Sequence, residues 1–160
     1  MVNLIRDVAT RFEVDARDRL LAISGLHFDA SIYDVFGVLT QGGTVVLPPP
    51  FEHAEPDVRA DLVRAEQVTL WNSVPRLMEL LVGEVRERRG GGRPLESLRL
   101  SVLSGDRIPQ GLGGALLVGV NGPQHLVAVH DVLERRVQGG YVERAIEIGM
   151  PTECHVDALF

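Results

Sequence analysis

The sequence predicts an α/β fold, a mostly parallel sheet with flanking helices. Three observations carry this reading. Strand-like and helix-like patterns alternate through residue 103, the order that gives a parallel sheet covered by helices. Residues 20–49 form a complete β-loop-α-β unit. The helices are also punctuated as helices should be, with Pro56 and Pro75 at starts and Gly42-Gly43 at a stop.

The elements follow in chain order. Residues 3–13 read as an amphipathic helix with Ile5, Val8 and Phe12 on one face. Leu20 to Ser24 is an apolar strand. The next helix, 32–41, shows Ile32, Val35, Phe36 and Leu39 at i, i+3, i+4 and i+7, which predicts that this face is buried. Ser31 is placed to N-cap that helix, and Asp34 to act as the acid of a capping box. Thr44 to Leu47 is a short strand stopped by three prolines. Helix 57–66 is expected to bury Val58, Leu62 and Val63, and helix 76–88 to bury Leu77, Leu80, Leu81 and Val85. Strands are expected at 68–71 and 98–103. Beyond residue 111, Leu116 to Val120 fits a strand, His125 to Val129 fits a strand or part of a helix, and Tyr141 to Ile148 fits extended chain.

Composition narrows the functional classes. A hydrophobic content of 45% with 24% charged residues is that of a soluble globular domain able to bury a core. The net charge of −6 disfavours nucleic acid and anionic membrane as partners. No apolar run is long enough to span a bilayer, and no signal peptide is evident. The one cysteine, Cys154, rules out an internal disulfide and points to a cytoplasmic setting. The five histidines show no metal-ligand spacing, and neither a P-loop nor a G-x-S-x-G elbow is present.

Three loops are expected to leave the C-terminal ends of three parallel strands, carrying Asp29, Asn72 and Ser104. Ligands bind at that edge of an open α/β sheet. An acid, an amide and a hydroxyl converging there suit a small zwitterion, with the carboxylate taking an ammonium. The bland alternative is that Asp29 and Ser31 cap a helix, Asn72 turns the chain, and Ser104-Gly105-Asp106 is an ordinary turn.

Residues 3–47 and 68–112 resemble the adenylation domains of nonribosomal peptide synthetases, within the superfamily of acyl-, aryl- and amino-acid-AMP ligases. The stretches that carry the resemblance are Phe28-Asp29-Ala30-Ser31, Tyr33-Asp34-Val35-Phe36-Gly37, Gly42-Gly43-Thr44-Val45-Val46-Leu47-Pro48, Trp71-Asn72-Ser73-Val74-Pro75 and Leu103-Ser104-Gly105-Asp106-Arg107-Ile108-Pro109. The combination is similar to the cysteine-activating branch that makes thiazoline-containing siderophores. The resemblance implies that residues 1–112 are part of the large N-terminal domain of such a ligase. It leaves 113–160 as a divergent, unassigned segment.

It also implies a substrate pocket. Asp29 matches the acid that pairs with the α-ammonium, and Ala30 and Tyr33 match the next two wall positions. Asn72, Val102 and Ser104 match the wall positions that follow. Asp, Tyr, Asn and Ser here resemble the set used for cysteine, while Ala30 and Val102 are smaller than the leucines usual in that set. The family uses ATP and Mg2+, and hands the activated amino acid to a phosphopantetheinyl carrier protein. The family's phosphate-binding loop, hinge and catalytic lysine find no match here, and Asn121-Gly122-Pro123-Gln124 only echoes its adenine motif. The resemblance therefore implies a fragment that carries no catalytic residue of its own and is inactive alone. The alternatives are a noncatalytic binding or scaffold domain and a subunit completed by a separate chain.

Overall fold

The computed structural model describes residues 2–49, 55–88, 95–109 and 111–112, together with two strands, 125–129 and 155–158, as backbone. The elements are α1 (Val2–Arg11), β1 (Arg19–Leu21), α2 (Ala30–Leu39), β2 (Thr44–Val46), α3 (Pro56–Ala65), β3 (Leu70–Ser73), α4 (Pro75–Glu87), β4 (Leu100–Ser104), β5 (His125–Val129) and β6 (His155–Ala158). The strands lie in the order β2-β1-β3-β4-β5-β6, and every pairing is parallel. The expected α/β sheet is therefore present. His125 to Val129 is a strand rather than helix, in register with β4. The readings at 116–120 and 141–148 fall outside the described residues.

The order of the strands decides which helix covers which face. The chain moves outward from β1 to β2, then returns past β1 to β3 and continues to β4. Right-handed crossovers running in opposite directions put their helices on opposite faces. Accordingly α1 and α2 pack on one face, where Ile5, Val8, Phe12, Tyr33 and Val38 meet Leu20, Leu70, Leu100 and Val102. On the other face α3 and α4 bring Ala60, Val63, Met78, Leu81 and Val82 against Leu21, Val46, Trp71 and Leu103. Successive strand residues point to alternate faces, so Leu70 and Asn72 share the α2 side while Trp71 and Ser73 face α4. The reversal of direction falls between β1 and β3, whose carboxyl ends bound the crevice of such a sheet.

The amino edge of the sheet is tied by a single carboxylate. Asp18, almost fully buried, accepts from Thr69 Oγ1 at 2.7 Å, from Arg99 Nε at 2.8 Å and Nη2 at 2.5 Å, and from the Asp15 amide at 2.9 Å. Burial alone would push its carboxyl up. The Arg99 guanidinium and the bonds from Asp15 and Thr69 outweigh burial and hold it below the usual carboxylate range. At the end of α2, Gly42 takes φ 83°, a left-handed conformation that L side chains avoid. A Cβ on Gly43 would lie 2.6 Å from the Asp18 carbonyl oxygen. The predicted glycine stop is real, and it seats the turn against the amino edge.

Five expectations need correction. On α3 and α4 the expected Val63 and Leu81 are buried and Leu62, Leu77 and Val85 are partly buried against the same core, but Val58 and Leu80 are not part of it, and Ala60, Met78 and Val82 are buried instead. The face of α2 carrying Ile32, Phe36 and Leu39 is outward, these residues being 43%, 51% and 48% exposed. The buried face holds Ser31, Tyr33, Asp34, Gly37 and Val38 instead. Ser31 does not cap the helix; its Oγ donates back to the Phe28 carbonyl at 2.6 Å. Asp34 is not a capping-box acid; it bonds across to other elements, as described below. Strands β3 and β4 both begin two residues later than predicted, so Asn72 and Ser104 are strand residues and not loop residues.

Candidate functional site

The crevice is built from the carboxyl end of β1, the start of α2 and the end of β3. Beyond β1 the chain leaves the sheet through residues 22–29, and α2 begins at Ala30 with Asp29 as its N-terminal flanking residue. Asp29 is exposed and makes no side-chain cap bond, and no group among the described residues donates to its carboxylate. The bland role of Asp29 and Ser31 as helix caps is thereby removed.

Asp34 holds the crevice together. Its Oδ2 accepts from the amides of Ile23 at 3.1 Å and Ser24 at 2.8 Å, which pins the exit of β1. Its Oδ1 accepts from Asn72 Nδ2 at 2.6 Å, across to β3. Asn72 Nδ2 also donates to the Ala30 carbonyl at 3.2 Å. Burial pushes the Asp34 carboxyl above its usual range, against the bonds from Asn72, Ser24 and Ile23 that favour the charged form.

Register brings the other predicted residues to the same side. Asn72 is paired with Val102. Val102 and Ser104 alternate onto the same face of β4, with Ser104 closing the strand. Tyr33 packs in the same buried cluster as Val102. The ring of Tyr33 lies along α2 over Gly37, where a Cβ would come within 3.0 Å of its Cζ. Its hydroxyl is buried with no partner among the described residues, and burial raises the phenol above its usual range. So Ala30, Asn72 and Val102 are gathered, while the Tyr33 phenol feels the charges of Asp18 and Arg99 at the amino edge as well as that of Asp34. Ser104 follows by register, and Asp29 sits one residue ahead of Ala30 on the exposed side.

The residue that sequence reasoning missed is Asp34. The signal was present: Tyr33 and Asp34, with Gly37 and Val38 one turn later, form a second face on α2. The larger apolar face drew the helix assignment instead. Among the described residues no group of three or more His, Cys, Asp and Glu side chains could hold a metal ion, so none is assigned to Mg2+. No helix among them is long and apolar enough to cross a membrane.

A parallel sheet whose strand order reverses at β1 and β3 places the chain among the doubly wound α/β proteins, the class in which ligands bind at the switch point. The chain belongs to the AMP-binding enzyme family, whose model matches residues 1–129. The Anguibactin system regulator of Vibrio anguillarum is 41% identical over 107 residues, which is 67% of this chain and 10% of the relative. Pyochelin synthetase PchF of Pseudomonas aeruginosa is 39% identical over 110 residues, 69% of this chain and 6% of the synthetase. Among solved structures, the nonribosomal peptide synthetase FmoA3 in its AMPPNP-bound form superposes with a TM-score of 0.75 and 59% identity, over 81% of this chain and 14% of that one. The same synthetase bound to alpha-methyl-L-serine-AMP gives a TM-score of 0.74 at 59% identity, over 80% of this chain and 14% of that one. The chain thus spans about a tenth of the length of the curated relatives it matches, 10% and 6% for the two named.

Proposed function

We propose that this chain carries the amino-acid-recognising part of an adenylating ligase of nonribosomal peptide synthesis. The reaction of the complete ligase is amino acid plus ATP giving aminoacyl-AMP and pyrophosphate, followed by transfer to the phosphopantetheine thiol of a carrier protein. The substrate is a small amino acid with a β-thiol or β-hydroxyl group, cysteine first among them. Asp29 pairs with its α-ammonium, and Ala30, Tyr33, Asn72, Val102 and Ser104 wall its side chain. The family match runs through residue 129, so only residues 130–160 are left outside this role, and the chain alone does not catalyse adenylation.

The observation that carries the reading is the Ala30–Asn72–Asp34 bridge across the switch point, with Val102 in register beside it. The resemblance to FmoA3 bound to alpha-methyl-L-serine-AMP supports the small β-hydroxyl class. The pyochelin relative is consistent with the siderophore branch to which cysteine belongs. In such a ligase catalysis is positioning plus charge stabilisation of an in-line attack on the α-phosphate. The residues described here supply the positioning of the amino acid only.

The test is amino-acid-dependent ATP–pyrophosphate exchange. The chain alone is expected to give none. A chimera that supplies the family's phosphate loop, adenine motif and catalytic lysine from a cysteine-activating relative is expected to exchange with cysteine or serine. Exchange by the chain alone, or a chimera that prefers a large apolar amino acid, overturns the proposal.

A further inference from the structure

We infer that Asp34 is a positioning residue that fixes the Asn72 amide with its carbonyl toward the ligand, so the side chain selected must bring a hydrogen-bond donor. This inference rests on the amino-acid reading above and narrows it.

The donors and acceptors around Asn72 fix how its amide is turned. An Asn amide has two N–H donors on Nδ2 and an acceptor on Oδ1. Both contacts of Asn72 Nδ2 are to acceptors, the Ala30 carbonyl and Asp34 Oδ1. A backbone carbonyl cannot donate, and neither can an ionised carboxylate. The amide orientation therefore follows from the chemistry of its neighbours: turning it over would set its oxygen against two acceptors. Both N–H groups are used within the protein. No group among the described residues donates to Asn72 Oδ1. That oxygen is also not among the buried side-chain atoms lacking a partner, although Asn72 is only 2% exposed. The sliver of Asn72 left open is its acceptor.

Asp34 cannot release Asn72 without loss elsewhere. Its Oδ2 faces the Ile23 and Ser24 amides and its Oδ1 faces Asn72, with the Ser24 hydroxyl also favouring the charged carboxylate. An amide in its place would turn one NH2 group against a donor whichever way it faced. The same carboxylate thus sets the exit of β1 and the polarity of the crevice. An acceptor at the wall selects a hydroxyl or thiol that can donate. Against a methyl group, or a methylated oxygen, it would be left unpaired, and rejection rests on that loss.

The experiment uses the whole chain and has two arms. In the first, NMR follows the Asn72 side-chain amide protons: both should be protected from exchange and should show contacts to Ala30 and Asp34. Free exchange of both protons overturns the inference whatever the chain binds. In the second, calorimetry compares L-cysteine and L-serine with L-2-aminobutyrate and O-methyl-L-serine. The donors should bind about 2- to 10-fold more tightly than the methyl analogues, the range of one neutral hydrogen bond. In Asp34→Asn this ratio should fall to about one. If Asp34→Asn does not fold, Asn72→Leu, which removes the acceptor, should give the same loss of preference. Equal binding of donor and methyl analogues by the unaltered chain overturns the inference while leaving the amino-acid reading standing. Failure to bind any of the four overturns both.

Discussion

The two faces of the sheet solve different problems. On the α3/α4 face Trp71, Met78, Leu81 and Leu103 are fully buried, with Ser73 and Ser101 buried on the same side of the sheet and Arg59 buried on α3. A polar contact there is satisfied internally, Trp71 Nε1 donating to Ser73 Oγ at 2.7 Å. On the α1/α2 face the same sheet buries Asp34, Asn72 and the Tyr33 hydroxyl, and α2 turns Ile32, Phe36 and Leu39 outward. Burying polar groups while exposing apolar ones is poor use of the hydrophobic effect. The α3/α4 face carries Trp71, the largest fully buried side chain, while the α1/α2 face buries the carboxylate of Asp34 and the amide of Asn72 where β1 and β3 end.

The sharpest break in this comparison is Trp71→Ala. It should destabilise the chain by about 3–5 kcal/mol, from the lost side chain and the cavity left behind. Denaturant unfolding would measure it. A cost below about 1 kcal/mol would contradict the burial of Trp71 on the α3/α4 face.

Next in size is the amide-for-carboxylate change Asp29→Asn. On the proposed role it removes a charge partner worth roughly 1.5–3 kcal/mol, so affinity for cysteine or serine should fall about 10- to 100-fold. Because Asp29 is exposed and caps nothing, stability should change by less than about 0.5 kcal/mol. Calorimetry and unfolding on one sample separate the two effects. Unchanged affinity returns Asp29 to an ordinary surface residue.

Asp18→Asn tests the amino edge against the carboxyl edge. It should cost about 1.5–3 kcal/mol at neutral pH, the value of hydrogen bonds to a charged group. Arg99 is partly exposed, so the lower end is expected. The pH dependence has a definite sign. The folded Asp18 carboxyl is held low, so the unfolded chain takes the proton first. Its contribution is present above the usual carboxylate range and is lost as pH falls below about 4. The folded Asp34 carboxyl is raised, so its own term runs the other way: fullest below that range and lost as pH rises through the folded value. The gap between the natural chain and Asp18→Asn should therefore close on acidification. A gap that widens in acid would contradict the assignment.

The smallest expected effect is Phe36→Ser. Half exposed on the outer face of α2, Phe36 should be replaceable with a change of about 0.5 kcal/mol or less. A loss of several kcal/mol would show that this face is buried after all, and the contrast between the two sides of α2 would fail.

Much of this architecture was legible in the residues. The β-loop-α-β unit around α2, the proline starts of α3 and α4, and the glycine stop at Gly42 are local signals, carried by backbone preferences that act within one turn. The buried face of α1 was legible for the same reason, since Ile5, Val8 and Phe12 have one sheet to face. For α2 the inward side was decided elsewhere. The helix offered two faces, and only the crossover from β1 to β2 chose the one with Tyr33, Asp34 and Gly37.

By itself the sequence determined the class of sheet, the order of its elements and the family to which the chain belongs. These follow from periodicity, capping and motif spacing, all properties of short stretches. Only the tertiary structure decided that Asp34 turns away from its own helix end to hold Asn72 across 38 residues of chain. It also decided that the buried side of α2 is its polar one. A buried carboxylate bonds whichever donors the strand order brings within reach, and the amides of Ile23 and Ser24 and the side chain of Asn72 converge only once β1 and β3 lie side by side.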